Sequence, residues 1–376
     1  MEAVLSIKIK LKNIDSATSD VFNLTMNNYM KALNYVSKFA AENNLYLAPQ
    51  KKLHNAVYYD IRSRFDLTSQ LACSVSRDVL AKYKTLKTNK QLFKTKKGKS
   101  TNEINIPEFK KPTLTLVYNR DFSFTKDGLI SIVTLSGRKK VAYYKNDYVN
   151  QFINNSEWKY GGAILKQYKN NYYLLLTVNK EVETTATNIV GVDLGLNFIA
   201  TAYDGERTIF YSGKKVKEYR AHYKKIREEL QSKNTKSAKR RLKAINNREN
   251  RYINDVNHCI SKALVNSNPN SIFVVEDLTN IRPALAKVKK KDRYYMVSWS
   301  YGDLINKLEY KALLQGSTLI KVNPKYTSQT CPICGKIDKN NRNKRLHIYK
   351  CKHCGYSSND DRIGAMNIYT KGIETT

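Results

Sequence analysis

Two Cys-x-x-Cys pairs near the end of the chain restrict its fold more than any other feature. "TSQTCPICGK" carries Cys331 and Cys334, and "YKCKHCGY" carries Cys351 and Cys354, each pair followed at once by a glycine that permits a tight turn. Four thiolates at this spacing converge on one tetrahedral Zn²⁺. Disulfides would need an oxidising compartment, and "MEAVLSIKIK" lacks the apolar core and small-residue cleavage site of a signal peptide. His347 and His353 are close in sequence, but a structural site closes at four ligands, so both read as bystanders to zinc. Cys73 and Cys259 stand alone among helical patterns and are expected as buried thiols.

The sixteen residues between the pairs are basic, with Lys336, Lys339, Arg342, Lys344, Arg345 and Lys350 opposed only by Asp338. The whole chain shares this bias: 66 Lys and Arg against 32 Asp and Glu leave a formal charge of +34, too large for a neutral enzyme of small metabolites. Nucleic acid is the expected partner. No apolar run of eighteen residues and no lipidation signal favours a membrane instead. The charge is densest between Lys214 and Arg251, a net +11 in 38 residues. Ile226, Leu230, Leu242, Ile245, Ile253, Val256 and Ile260 recur there at helical intervals, so a pair of long basic helices is expected, displaying Lys239, Arg240, Arg241, Lys243, Arg248 and Arg251. A second cluster, Lys82 to Lys99, has eight lysines and no acid; it reads as a linker or a nucleic-acid-contacting loop, with Lys96, Lys97 and Lys99 at its end.

The N-terminal part reads as a barrel interrupted by helices. Leu5, Ile7, Ile9 and Leu11 alternate with Ser6, Lys8, Lys10 and Lys12, the pattern of a strand with one buried face. Phe22, Met26, Tyr29, Leu33, Val36 and Ala40 then trace one helical face, with caps offered between Asp15 and Ser19, and a further helix or two spans His54 to Lys87. Strands return in "PTLTLVYN", in "GLISIVTL" after the Asp127-Gly128 turn, and in "AILKQYKNNYYLLLTVNK", a hairpin through Asn170-Asn171.

From Asn188 the pattern is mixed α/β and carries acids in unusual places. Asp193 lies in the apolar strand "NIVGVDLG", a costly position without a cation. Glu276 ends the strand "SIFVVEDL", with Asp277 on its other face, and Asp360 and Asp361 open a helix just past Cys354. Each signal alone is equally a strand end or a helix cap. Together they are the hard oxygen donors required by two Mg²⁺ about 3.5–4 Å apart for in-line displacement at phosphorus.

"GVDLGLNFIA", "FVVEDL", "YTSQTCPICGK" and "CKHCGYSSNDDRIGAMNI" resemble the three RuvC motifs and inserted zinc ribbon of TnpB, the insertion-sequence-encoded relative of type V CRISPR effector nucleases. The resemblance is strong over residues 188–372 and includes Trp299, Tyr310, Lys311 and Gly316; it is weaker upstream. It implies an α+β multidomain chain: a β-barrel wedge domain (1–14 and 106–185) with a helical recognition insertion (15–105), then an RNase H-like RuvC α/β domain (186–324 and 359–376) with an inserted zinc ribbon (325–358). It implies Asp193, Glu276 and Asp361 as catalytic carboxylates binding two Mg²⁺, beside one structural Zn²⁺. Many TnpB proteins continue the third motif as Asp-x-Asn-Ala-Ala-x-Asn-Ile, whereas Asp361 is followed here by Arg362, Ile363, Gly364, Ala365, Met366, Asn367 and Ile368. The register of Asn367 and Ile368 favours Asp361 over Asp360.

The resemblance further implies an RNA-guided DNA endonuclease of the prokaryotic cytoplasm. Its guide RNA would derive from the end of the element, and its target would be double-stranded DNA with a short adjacent motif read by one protein per guide. Base pairing reads sequence while a basic channel grips the heteroduplex backbone. A small type V CRISPR effector, a transposase proper and a non-cleaving guide-directed repressor are the alternatives, the last disfavoured by three intact acids.

Overall fold

The computed structural model describes residues 1–94, 100–153, 155–278 and 300–376. Lys96, Lys97, Lys99 and Trp299 lie outside the described residues. The fold is mixed α/β and divides into two compact units, residues 4–180 and residues 1–3 with 181–376.

In the N-terminal unit the period-2 pattern of the first residues becomes β1 (Glu2–Lys12), with Ile7, Ile9 and Leu11 buried and Lys8 and Lys12 exposed. Asp15 caps α1 (Ser16–Glu42) by accepting from the Thr18 backbone N–H at 2.8 Å, and all six residues of the expected apolar face are buried. Two more helices follow, α2 (Gln50–Phe65) and α3 (Ser69–Thr88), so the first half of the lysine cluster is helical rather than linker. Strands β2 (Thr113–Leu116), β3 (Phe122–Phe124), β4 (Ile130–Thr134), β5 (Gly137–Tyr143), β6 (Lys159–Tyr168) and β7 (Asn171–Glu181) join β1 in one sheet ordered β2-β6-β7-β1-β5-β4-β3, with the short helix α4 (Asp147–Asn150) between β5 and β6. Its two end strands are consecutive in the chain and linked by a Tyr118–Phe122 bridge, the arrangement of a nearly closed barrel. Asp78 of α3 ties helices to sheet, accepting from Tyr29 of α1 at 2.9 Å and from Thr115 of β2 at 2.6 Å. The β6–β7 turn falls on Lys169 and Asn170, with φ of 48° and 57°, one residue earlier than expected. A two-residue turn of this kind needs left-handed backbone at both central positions, and Asn171 already pairs in β7.

The second unit is built on β8 (Asn188–Asp193), β9 (Phe198–Tyr203), β10 (Thr208–Ser212), β11 (Ser271–Glu276) and β12 (Thr318–Val322), ordered β10-β9-β8-β11-β12. β8, β11 and β12 are parallel, and β9 and β10 antiparallel to their neighbours. The basic segment forms three helices, α5 (Lys214–Lys233), α6 (Lys236–Ile245) and α7 (Arg248–Ser267), where a pair was expected. Asn234, the C-cap of α5, and Asn247, the N-cap of α7, make the two turns with φ of 47° and 63°, because asparagine enters the left-handed region more readily than other non-glycine residues. The described residues continue with α8 (Tyr301–Leu314) and end in α9 (Asp360–Thr375).

The parallel strands are apolar on both faces because both are covered. Val190, Val192, Phe273 and Val275 pack with Ile253, Ile260 and Leu264 of α7 and Leu304 and Leu308 of α8. The alternate residues Ile189, Ile272 and Val274 pack with Ile368 of α9. Gly191 lets α9 approach β8, since a β-carbon there would lie 2.3 Å from the Ala365 carbonyl oxygen. Cys259 faces outward on α7 and is exposed, and Cys73 on α3 is half-buried, so neither is the buried thiol expected; on α7 the inward positions are taken by Asn257, Ile260, Ser261 and Leu264.

Candidate active site

The four cysteines meet beside a small three-stranded sheet, β13 (Arg342–Asn343), β14 (Ile348–Lys350) and β15 (Ser357–Asn359). Both knuckles are built alike. Gly335 and Gly355 take φ of 70° and 76°, and each donates its N–H to the first cysteine of its pair, Cys331 or Cys351, at 3.0 Å. The sulfurs converge across the pairs, Cys331 with Cys354 at 3.6 Å and Cys334 with Cys351 at 3.7 Å. A tetrahedron of Zn–S bonds near 2.3 Å needs sulfurs about 3.8 Å apart, so the cluster fits a structural Zn²⁺ and neither His347 nor His353 belongs to it. N–H groups of Cys354 and His353 pull the Cys351 thiol down to about 6, while burial and the neighbouring sulfurs push Cys334 and Cys354 up.

The acids assemble by register. Val192 of β8 is opposite Val275 of β11, so the next residues, Asp193 and Glu276, stand side by side at the ends of adjacent parallel strands. Asp193 is thus the last residue of its strand rather than a mid-strand acid. It shares the parity of Ile189, and Glu276 that of Ile272 and Val274, which turns both carboxylates to the face covered by α9. Asp361 enters from the first turn of α9, where Asn359 caps the helix by accepting from the N–H groups of Asp361 and Arg362 at 3.0 and 3.2 Å. Gly364, one turn on, is where Asp193 rests: a β-carbon would lie 2.8 Å from the Asp193 carboxyl carbon. The replacement of the usual alanine of the motif has this contact as its local setting.

Burial pushes the Asp193 carboxyl well above the usual carboxylate range, and the charges of Glu276 and Asp361 push it further. Burial also raises Glu276, against a hydrogen bond from the Thr327 hydroxyl. Asp361 is raised by burial and by the neighbouring Asp360, with Arg342 opposing. Carboxyls gathered in a partly buried site, with Asp193 repelled by the other two, are the arrangement a divalent cation relieves. Asp361 Oδ2 is buried without a hydrogen-bond partner, so a donor atom for such an ion is available.

Several surrounding residues had no role assigned from the sequence. Arg342, counted only among the cations of the ribbon, puts Nε 2.7 Å from Asp360 Oδ2 and Nη2 3.6 Å from Asp361 Oδ1. Lys217 of α5 donates to Asn197, whose amide also meets the His347 ring. Asn367, kept in the third motif, donates to the carbonyls of Thr327 and Thr330 at 2.6 and 2.9 Å, fixing the root of the ribbon to α9 beside Glu276. Lys239, Arg240, Arg241 and Lys243 on α6 and Arg248 and Arg251 on α7 are all exposed, while Ala238 and Ile245 hold the other face of α6 inward.

Comparison with known proteins agrees with the motifs. The family described as "Probable transposase" (OrfB_IS605) matches residues 173–284, and the family described as "Cas12f1-like, TNB domain" matches residues 301–368. A TnpB-like protein of Methanocaldococcus jannaschii is 29% identical over 241 residues, covering 60% of this chain and 84% of that one. The chain is a relative of the TnpB-like proteins. The CRISPR-associated endodeoxyribonuclease Cas12f1 of Sulfoacidibacillus thermotolerans is 30% identical over 226 residues, 55% of this chain and 51% of that one. The putative RNA-guided DNA endonuclease InsQ of Escherichia coli is 26% identical over 221 residues, 54% of each. The matches thus span most of the first relative but only about half of the other two. In fold, the chain is similar to a Cas12f1 solved with guide RNA and target DNA, with a TM-score of 0.59 at 13% identity over 98% of this chain and 99% of that one. Among the described residues of this TnpB relative, no helix is long and apolar enough to cross a membrane.

Proposed function

We propose that this TnpB relative is an RNA-guided DNA endonuclease that hydrolyses phosphodiesters at Asp193, Glu276 and Asp361. The observation that carries the reading is the meeting of these three carboxyls, Asp361 buried and Asp193 and Glu276 half-buried, at the ends of β8, β11 and the start of α9, where Glu276 and Asp361 both repel Asp193. The strand order β10-β9-β8-β11-β12, with three parallel and two antiparallel members, supports an RNase H-like RuvC domain, and the curled sheet of the first unit a wedge domain with α1 to α3 as its recognition insertion.

Two bound Mg²⁺ would supply water activation and stabilisation of the leaving oxygen in an in-line displacement. Asp193, Glu276 and Asp361 are the residues that would hold the ions. Thr327 orients Glu276, and Gly364 leaves room for Asp193. Arg342 lies where it can balance the acids or meet a scissile phosphate. The exposed cations of α6 and α7 are suited to the backbone of a guide–target duplex. Acting on DNA, the protein would work in the cytoplasm as one copy per guide. The same chemistry would serve a small type V CRISPR effector, which the match to the Cas12f1-like domain also favours.

Sequencing the RNA that copurifies with the full chain tests the guide. A discrete small RNA with one constant and one variable region is expected, and its origin at an element end or in a repeat array separates the two readings. Recovery of heterogeneous cellular RNA alone would overturn the guided reading.

A further inference from the structure

His347 stands between β13 and β14 with φ of 55°, a left-handed conformation uncommon outside glycine. The conformation is held against the start of α9, because the His347 carbonyl accepts from Asn359 Nδ2 and from the Asp360 N–H, both at 3.3 Å. The imidazole is thereby turned to the carboxylate site. Its Nδ1 lies 3.4 Å from Asp360 Oδ1 and 3.0 Å from the Asn197 amide nitrogen, which also approaches Nε2.

One donor atom each from His347, Asp360 and Asp361 lie within 4.8 Å of one another. Asp360 and Asp361 are only 1% and 6% exposed, and Asp360 Oδ1 and Asp361 Oδ2 have no hydrogen-bond partner. Carboxylate oxygens removed from water without a donor are costly, and Arg342 answers only the other oxygens, Asp360 Oδ2 and Asp361 Oδ1. One oxygen of each carboxyl and a ring nitrogen are therefore close enough to share one ion, with Asp360 Oδ1 beside the imidazole. His347 is half-exposed, which leaves a way in from solvent.

We propose that His347 and Asp360 join Asp361 in a mixed nitrogen–oxygen metal position that takes Mn²⁺ in preference to Mg²⁺. Mg²⁺ favours oxygen donors and gives up water reluctantly, whereas imidazole suits first-row transition ions. The proposal rests on the reading of Asp361 as a metal ligand, and it makes the ribbon a contributor to the metal centre as well as its support.

The test is pulsed electron paramagnetic resonance of Mn²⁺ titrated into the zinc-loaded full chain freed of nucleic acid, with natural-abundance and ¹⁵N-histidine protein compared. A directly bound imidazole gives a nitrogen modulation that changes with the label. That signal is expected in the unaltered protein and lost in His347→Gln, with Mn²⁺ affinity in both His347→Gln and Asp360→Asn weakened roughly tenfold and Mg²⁺ affinity much less affected. Bound Mn²⁺ without nitrogen modulation would overturn the proposal while leaving the Asp361 reading intact. Modulation that survives His347→Gln would overturn it as well, assigning the nitrogen to another histidine. Failure to bind Mn²⁺ at all would remove both this position and the reading of Asp361 as a ligand.

Discussion

A β-carbon at Gly364 would stand 2.8 Å from the carboxyl carbon of Asp193 and 2.9 and 3.2 Å from its two oxygens. Asp193 is half-buried at the end of β8 with α9 against its carboxyl, so an added methyl would press on it directly. Gly364→Ala is therefore expected to displace it. Alanine improves a helix interior by about 1 kcal/mol over glycine, so the chain should stay folded while cleavage at saturating Mg²⁺ falls about tenfold or more, as misplacement of a reacting group by a fraction of an ångström allows. Single-turnover rates beside circular dichroism make the comparison, and an unchanged rate would show that Asp193 adapts.

The ribbon and the third acid share a short stretch of chain. Cys354 precedes β15, which leads directly into α9 and Asp361. A hairpin this polar has no core beyond the few residues packed around the cysteines and Tyr349, so zinc supplies much of its folding energy. Cys351→Ser or Cys354→Ser should reduce cleavage at least about tenfold while guide RNA affinity changes far less, since Asp361 needs rigid support. Parallel loss of binding and cleavage in the zinc-depleted variants would instead make the ribbon only a cationic surface.

Charge on α6 makes a separate prediction about salt. Replacing Arg240, Arg241 and Lys243 together should weaken nucleic-acid binding about equally across target sequences. It should also flatten the dependence of log affinity on log salt by up to about 0.9 for each lost duplex-phosphate contact. A salt slope equal to that of the unaltered protein would leave these residues as a solvated helix face.

The raised acids make metal-free stability depend on pH. Burial lifts Asp193, Glu276 and Asp361 above their ordinary values, with repulsion from Glu276 and Asp361 adding to Asp193 and that from Asp360 adding to Asp361, so the folded chain retains protons that the unfolded chain has released. Stability contributed by the protonated acids is then full below the ordinary carboxylate range and is lost as pH rises through the raised values. Asp78 and Asp121 are also raised by burial and act in the same sense, so the informative quantity is the difference between the protein and Asp193→Asn. The variant should melt higher at pH 7 without metal, by about 2–4 °C per kcal/mol of repulsion relieved in a unit of this size, and the gain should vanish at acid pH. Equal melting curves from pH 4 to 8 would mean that Asp193 is not under electrostatic strain.

What was legible in the sequence had short-range causes. The alternation of β1, the buried face of α1 and the two cysteine knuckles each follow from residues a few positions apart. The third helix of the basic segment was missed because its boundaries rest on two asparagines in left-handed conformations, a choice that the helical spacing of apolar residues does not reveal. Asp193 looked mid-strand because "GVDLG" is apolar on both sides, although the strand ends at the acid itself. Arg342, His347, Asn197 and Lys217 meet near Asp360 and Asp361 from the ribbon, the β8–β9 turn and α5. No local period marks such a convergence, and His347 could be excluded from the zinc shell without being placed where it is.

The most direct measurement is single-turnover cleavage of a DNA duplex matched to the copurified RNA, in Mg²⁺, by the full chain and by Asp193→Ala, Glu276→Ala and Asp361→Ala. Cleavage of the matched duplex alone, abolished in each variant with the RNA still bound, is the predicted result. Cleavage that ignores the match, or that survives loss of any one of the three carboxylates, would contradict a guided nuclease acting through this site.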